Sequence, residues 1–243
     1  KKGIENTNYL LKTNKAKFIL TIFEKRVHKK DLPFFMNLMD KLDKNKIICP
    51  KPLKNKKGKY LSTIKNKSAC IVTFLKGKDK THLDYKNCFD VGKNIAKFHK
   101  TTSKIHLYRE NSMSVKKLDA LLKSIKFKSK KKTLDLKSVL YNNLKDIKRE
   151  WPKNLPTGII HGDLFIDNIF FNKNKFSGFI DFYFSSNDYL MYEIAICINA
   201  LCFDKIKKKF VMNNKKIKNL INGYESVRIL SKKEMNSLNV LCR

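Results

Sequence analysis

The chain has 243 residues, 42% of them hydrophobic, enough to bury a sizeable core either as one domain or as two lobes. No run of about eighteen apolar residues occurs and Lys1-Lys2-Gly3 opens no apolar signal core, so neither a helical membrane span nor an export signal is expected, and a cytoplasmic address follows. The formal net charge of +33 would by itself suggest nucleic acid as partner, but only five of the 54 basic residues are Arg and the lysines run from end to end, which is the mark of AT-rich codon usage rather than of a local binding patch.

Short β-prone runs at residues 9–11 and 18–23, separated by a turn-like 12–15, predict an antiparallel hairpin preceded by a loop over 3–8. Asp31 is placed as an N-cap, with Pro33 in the first turn of a helix carrying Phe34, Phe35, Leu38, Met39 and Leu42 on one face. After the break at Cys49-Pro-Lys-Pro52, two further strands are expected at 60–64 and 69–74. Cys88, Val91, Ile95 and Phe98 then mark an amphipathic helix over 83–102, so a boundary between a sheet-rich first lobe (1–77) and a helical second lobe (78–243) is expected near 77–82. Polar helices follow at 114–126 and 134–150, with the lysine-dense run 123–132 read as a solvated linker or helix end. Residues 169–171 and 176–182 predict a second hairpin, the latter strand ending on Asp181, and helices are expected at 188–202, 205–222 and from 231 onward. Both ends look cut, the first inside a loop and the last inside a helical pattern, and oligomeric state has no signature. Six scattered cysteines without a C-x-x-C pair are expected to be reduced and mostly buried.

The segment His161-Gly-Asp163-Leu-Phe-Ile-Asp-Asn168, followed by Asp181, carries the chemistry. Phosphoryl transfer to an alcohol needs a carboxylate near the attacking hydroxyl and oxygen ligands for a divalent metal. Asp163 is placed to accept the hydroxyl proton, Asn168 five residues on to offer an amide oxygen from the same loop, and Asp181, returned by the hairpin, to supply a second metal-binding oxygen. Read without chemistry, the two aspartates are turn and strand-end residues; His161 is taken as a brace for the loop.

This segment resembles the catalytic and metal-binding loops of the aminoglycoside phosphotransferase and choline kinase superfamily. Together with Gly3-Ile-Glu-Asn-Thr-Asn-Tyr9 and Ile180-Asp-Phe-Tyr183 it is similar to the homoserine kinases of that superfamily, with supporting likeness at Leu32-Pro-Phe-Phe35, Arg109-Glu-Asn111 and Tyr192-Glu-Ile-Ala195. The resemblance implies an α+β, two-lobed protein-kinase-like fold that moves the γ-phosphoryl of ATP onto L-homoserine. It also implies Asp163 as base, Asn168 and Asp181 as Mg²⁺ ligands, and Gly3, Asn6, Thr7 and Asn8 as a lid over the phosphates. By the same resemblance the segment 71–77, with Phe74 and Leu75, would be a hinge that meets adenine through its backbone; read without it, the segment is an ordinary interlobe linker. Thr21 stands where kinases usually carry a phosphate-binding Lys, which leaves that cation unassigned, with Lys25 and Arg26 as candidates; Glu193 stands where relatives usually have Asp, and Ile166 where Arg is common. For a zwitterionic acceptor, Arg109 and Arg228 are candidates for the carboxylate, because bidentate pairing is what Lys cannot do, and Asp167 and Tyr183 for the rest. The rival readings are a kinase of the same superfamily with another small alcohol as acceptor, a basic nucleic-acid-binding module, and a pseudokinase, against which the intact Asp163, Asn168 and Asp181 argue.

Overall fold

A computed structural model of the chain describes residues 6–24, 27–126 and 131–243. Two strands, β1 (Asn6–Lys12) and β2 (Lys17–Phe23), form the first hairpin, and β3 (Leu61–Ile64) and β4 (Lys67–Thr73) complete an antiparallel sheet ordered β1-β2-β4-β3. Helix α1 (Leu32–Lys44) buries Leu32, Phe34, Phe35, Met36, Leu38, Met39 and Leu42, the stripe its spacing predicted. Asp31, however, makes no capping bond: its carboxylate is taken by Arg109, and Pro33 alone marks the helix start. The expected loop over 3–8 also shortens, since Asn6, Thr7 and Asn8 pair with Phe23, Ile22 and Thr21 as the opening of β1.

Beyond β4 the chain turns helical. Helix α2 (Tyr85–Thr102) begins at a capping box between Asp84 and Asn87, and α3 (Val115–Ser124) is capped by the Ser114 hydroxyl. Helix α4 (Lys131–Glu150) leads into β5 (Thr157–Ile160), the hairpin β6 (Ile169–Asn172) and β7 (Lys175–Phe179), then β8 (Ser186–Tyr189) and α5 (Leu190–Leu201). Three differences from the expected elements appear here. Strand β7 stops at Phe179, before Asp181. The polar Ser186-Asn-Asp-Tyr189, with no β-prone residue but its last, is a strand because β5 supplies a partner. The helix expected over 205–222 is instead a hairpin, β9 (Phe203–Ile206) and β10 (Lys209–Met212), followed by α6 (Asn214–Glu225), which Asn213 caps at two backbone N–H groups. Lys207 and Lys208 both take positive φ there (43° and 70°), a two-residue turn of the kind that suits strand twist. The chain closes with α7 (Lys232–Leu241).

One connected apolar core joins Phe23 and α1 to α2, the β6–β7 hairpin, α5 and α6. Helices α2 and α6 cross so closely that a Cβ at Gly92 would overlap the Leu220 carbonyl and one at Gly223 the Phe89 carbonyl. All six cysteines are free thiols and five are buried. Among the described residues no helix is long and apolar enough to cross a membrane.

Candidate active site

Strand β5 delivers the chain to His161, and Gly162 then takes φ +79°, where a Cβ would press on the Phe184 carbonyl oxygen at 3.0 Å. This turn is held from behind. The fully buried Glu193 of α5 accepts the backbone N–H of His161 on one oxygen and that of Gly162 on the other, the latter at 3.1 Å. The His161 ring, packed 4.6 Å from Phe182, lies with Nε2 2.9 Å from the Ile180 carbonyl, so Nε2 carries the proton. Its Nδ1 is buried without a hydrogen-bond partner among the described residues, and burial lowers its pKa, which favours the neutral ring.

Asp163 follows, partly buried. The Asn168 amide nitrogen donates to its Oδ2 at 2.9 Å and to its backbone carbonyl at 2.8 Å. Both partners are acceptors, which fixes the amide: nitrogen toward Asp163, oxygen turned the other way. The 3-10 turn Ile166–Asn168 and the bond from Ile180 N–H to the Asn168 carbonyl (3.0 Å) tie this loop to the far end of the β6–β7 hairpin, next to Asp181. Asp181 sits at φ 64°, ψ 61°, a left-handed conformation that a non-glycine residue adopts at a cost of order 1 kcal/mol.

The electrostatics of the pair are distinctive. Burial, then the neighbouring Asp181 charge, pushes the Asp163 carboxyl up to about 6, against the opposing bond from Asn168, and Asp167 and Glu193 add smaller repulsions. Solvent reaches Asp181 in the cleft, yet desolvation by the surrounding protein also raises its pKa, with Asp167 adding to the effect. A cluster of carboxylates that repel one another, beside an amide oxygen locked outward, is a donor set suited to a hard divalent cation.

A cavity of about 230 Å³ opens on the same aspartate. Asn8, Thr21, Phe74, Leu75, Asp181 and Tyr183 line it, with Val72, Met39 and Phe170 among its apolar walls. Asn6 is buried and Thr7 donates to Glu24 at 3.1 Å, so neither lines the cavity, while Gly3, Lys25 and Arg26 lie outside the described residues. Thr21 is buried and donates to the Asn8 side chain at 2.8 Å; no Lys or Arg is among the described residues that line this cavity. The Tyr183 ring stands edge-on to Phe23 and Phe35 at 5.1 and 5.6 Å, and its hydroxyl faces the Cys70 thiol at 3.9 Å, so it also joins β2, β4 and α1 to the Asp181 loop.

The two arginines singled out for a substrate carboxylate are engaged by the protein. Arg109 donates Nε to Asp31 at 2.9 Å and Nη1 to the Ser185 carbonyl at 3.1 Å, with its guanidinium 5.0 Å from the Phe35 ring centre. Arg228 pairs with Glu234 at 2.8 Å and donates to the Tyr224 hydroxyl at 3.3 Å, and neither arginine lines the cavity. Asp167 is exposed on the loop between Asp163 and Asn168. In the sequence Glu193 stands out only as a departure from related sequences. The signal that points to it is an acid inside the otherwise apolar run Leu190-Met-Tyr-Glu-Ile-Ala-Ile-Cys197, which a surface helix does not need.

Residues 1–217 match the family model described as the phosphotransferase enzyme family. The chain is 40% identical over 241 residues to the homoserine kinase of Rhizobium meliloti (strain 1021), covering 99% of this chain and 73% of that protein. It is 40% identical over 247 residues to that of Paramagnetospirillum magneticum (strain ATCC 700264 / AMB-1), covering 99% and 75%. Among solved structures, an amicoumacin kinase in complex with AMP-PNP, Ca²⁺ and amicoumacin superposes with a TM-score of 0.79 at 15% identity, over 99% of this chain and 75% of that one. A microcompartment-associated aminopropanol kinase gives 0.71 at 13% identity, over 98% and 77%. The antiparallel sheet, the helical remainder and the loop that sets Asp163 beside Asp181 are thus the kinase-like fold, and the chain belongs to the phosphotransferase enzyme family, among its homoserine kinases.

Proposed function

We propose that this chain transfers the γ-phosphoryl group of ATP to the side-chain hydroxyl of L-homoserine, giving ADP and O-phospho-L-homoserine, and that it works in the cytoplasm, where its six free thiols stay reduced. The observation that carries the chemistry is the locked Asn168 amide. It binds the Asp163 carboxylate through nitrogen and leaves oxygen for a metal, so one side chain serves both the base and the cation site.

The nucleotide lies in the cavity between residues 6–77 and 78–243, its base against the apolar walls and along the backbone of Phe74 and Leu75, with Asn8 and Thr21 on the phosphate side. Asp163 accepts the proton of the homoserine hydroxyl as that oxygen bonds to the γ-phosphorus and the bond from phosphorus to the bridging β,γ-oxygen breaks. Asn168 Oδ1 and Asp181 are the residues that hold Mg²⁺, which when bound offsets the charge of the phosphates. Asp167, exposed beside the base, faces the acceptor's ammonium.

ADP release measured with homoserine, choline, methylthioribose and an aminoglycoside tests the acceptor. Turnover confined to homoserine, lost in Asp163→Asn by a factor of about 10²–10⁴, is the expected result; turnover with one of the other three in its place overturns the assignment.

A further inference from the structure

A chain of polar groups, buried except at Arg228, that phosphoryl transfer does not use runs from α7 to the back of the loop bearing Asp163. Glu234 of α7 pairs with Arg228 at 2.8 Å, and Arg228 donates Nη1–H to the Tyr224 hydroxyl at 3.3 Å. The Tyr224 oxygen lies 3.0 Å from His99 Nδ1 of α2. His99 Nε2 then faces Glu193 Oε2 at 3.8 Å and has no hydrogen-bond partner among the described residues. Glu193 itself holds the N–H groups of His161 and Gly162, the two residues before Asp163. Tyr224, His99 and Glu193 are all buried.

The direction of this chain is set at its outer end. A guanidinium can only donate, so the Tyr224 oxygen accepts from Arg228 and its own O–H is available to His99 Nδ1. The His99 proton then belongs on Nε2, pointing at Glu193; the other tautomer would aim a lone pair at a carboxylate in a desolvated interior. Burial keeps His99 below its ordinary pKa, so it acts as a neutral dipole. Phenylalanine at 224 would fill the same space without a polar atom, so packing alone does not call for the hydroxyl.

We infer that Arg228, Tyr224 and His99 form a one-directional polar relay that orients the Glu193 carboxylate, making His99 and Tyr224 positioning residues for Asp163. The relay links α2, α5, α6 and α7 to a loop none of them contributes. It rests on the assignment of Asp163 as base, but not on which alcohol is the acceptor.

The test is Tyr224→Phe, alone and combined with Glu193→Gln, read by hydrogen exchange at the His161 and Gly162 amides and by steady-state kinetics. In Tyr224→Phe the two amides should exchange about tenfold faster and kcat should fall about tenfold, while KM for ATP changes by less than about twofold. Added to Glu193→Gln, the same change should cost nothing further in kcat. Unchanged amide protection, faster exchange with unchanged kcat, or losses that multiply in the double variant would each overturn the relay. Should Tyr224→Phe not accumulate as folded protein, Arg228→Gln, at a partly exposed position, is read by the same criteria. Absence of homoserine turnover by the wild type would sink the acceptor assignment, and the amide exchange would still decide the relay.

Discussion

At Asp163 the needs of chemistry and of stability pull in opposite directions. As the proposed base it must be ionised, yet burial and the Asp181 charge favour its protonated form and raise its pKa to about 6. Since kcat/KM reports the free enzyme, it should fall about tenfold for each pH unit below about 6. A plateau persisting to pH 5 in a kcat/KM profile with homoserine would rule out Asp163 as the titrating base. The same shift has a stability consequence of defined sign. A carboxyl whose folded pKa lies above its unfolded one stabilises the fold fully below pH 3.8, and that contribution is lost as pH rises through about 6. At pH 7.5 the ionised carboxylate is therefore a burden, and Asp163→Asn, which keeps an acceptor for Asn168, should raise stability by about 1 kcal/mol, or about 2–4 °C in Tm by calorimetry, while lowering turnover by about 10²–10⁴. A drop in Tm would show that the carboxylate contributes to the fold. Asp163, Asn168 and Asp181 could be singled out in the sequence because the chemistry proposed for them confines them to one loop and the end of one hairpin. The protein-bound state of Arg109 and Arg228 was not, because their partners Asp31 and Glu234 are brought to them only by packing.

Elements were legible where their ends carry local chemistry. Helix α2 announces itself by its apolar stripe, and α1 by Pro33 and its phenylalanines, while the Asp84–Asn87 box that starts α2 emerges only in the structure. Hairpins were harder, because three of them close on two-residue turns at Lys65-Asn66, Lys173-Asn174 and Lys207-Lys208, all with positive φ. The first two keep an Asn, a residue at ease in that region; the third has only lysines, so β9 and β10 read as helix. Strand β8 carries no signature of its own, for its pairing with β5 is decided by tertiary contact. The α2–α6 crossing shows the same dependence. Nothing near Gly92 or Gly223 distinguishes them from ordinary helical glycines, yet the opposite helix backbone occupies the space of a Cβ at each. Gly223→Ala should therefore cost at least about 3 kcal/mol in urea unfolding, since backbone cannot step aside as a side chain can. Gly58→Ala, at φ 73° with open space around the added carbon, isolates the conformational part and should cost about 1–2 kcal/mol. Equal losses at the two positions would mean that the helices slide apart at little cost.

On the scale of the whole molecule, a small cluster of acids, Asp163, Asp167, Asp181 and Glu193, sits inside a chain whose formal charge is +33. Among the described residues that line the cavity beside them there is no Lys or Arg. The excess of 54 basic over 21 acidic residues supplies attraction of another kind: a positive potential spread over the surface, which gathers polyanions from a distance and fades with screening. The Debye length falls from about 14 Å at 0.05 M salt to about 4 Å at 0.5 M, so the reach of such a field shrinks about threefold. If this diffuse field concentrates ATP at the cleft, KM for ATP should rise by a factor of about 3–10 over that range, while kcat, set inside the site, changes by less than about twofold. Sucrose at matched osmolality should leave both constants unchanged, which separates screening from changes in water activity. A KM for ATP that stays flat with salt would show that the lysines do not contribute to capture, and would turn attention to contacts within the cleft as the whole source of nucleotide affinity.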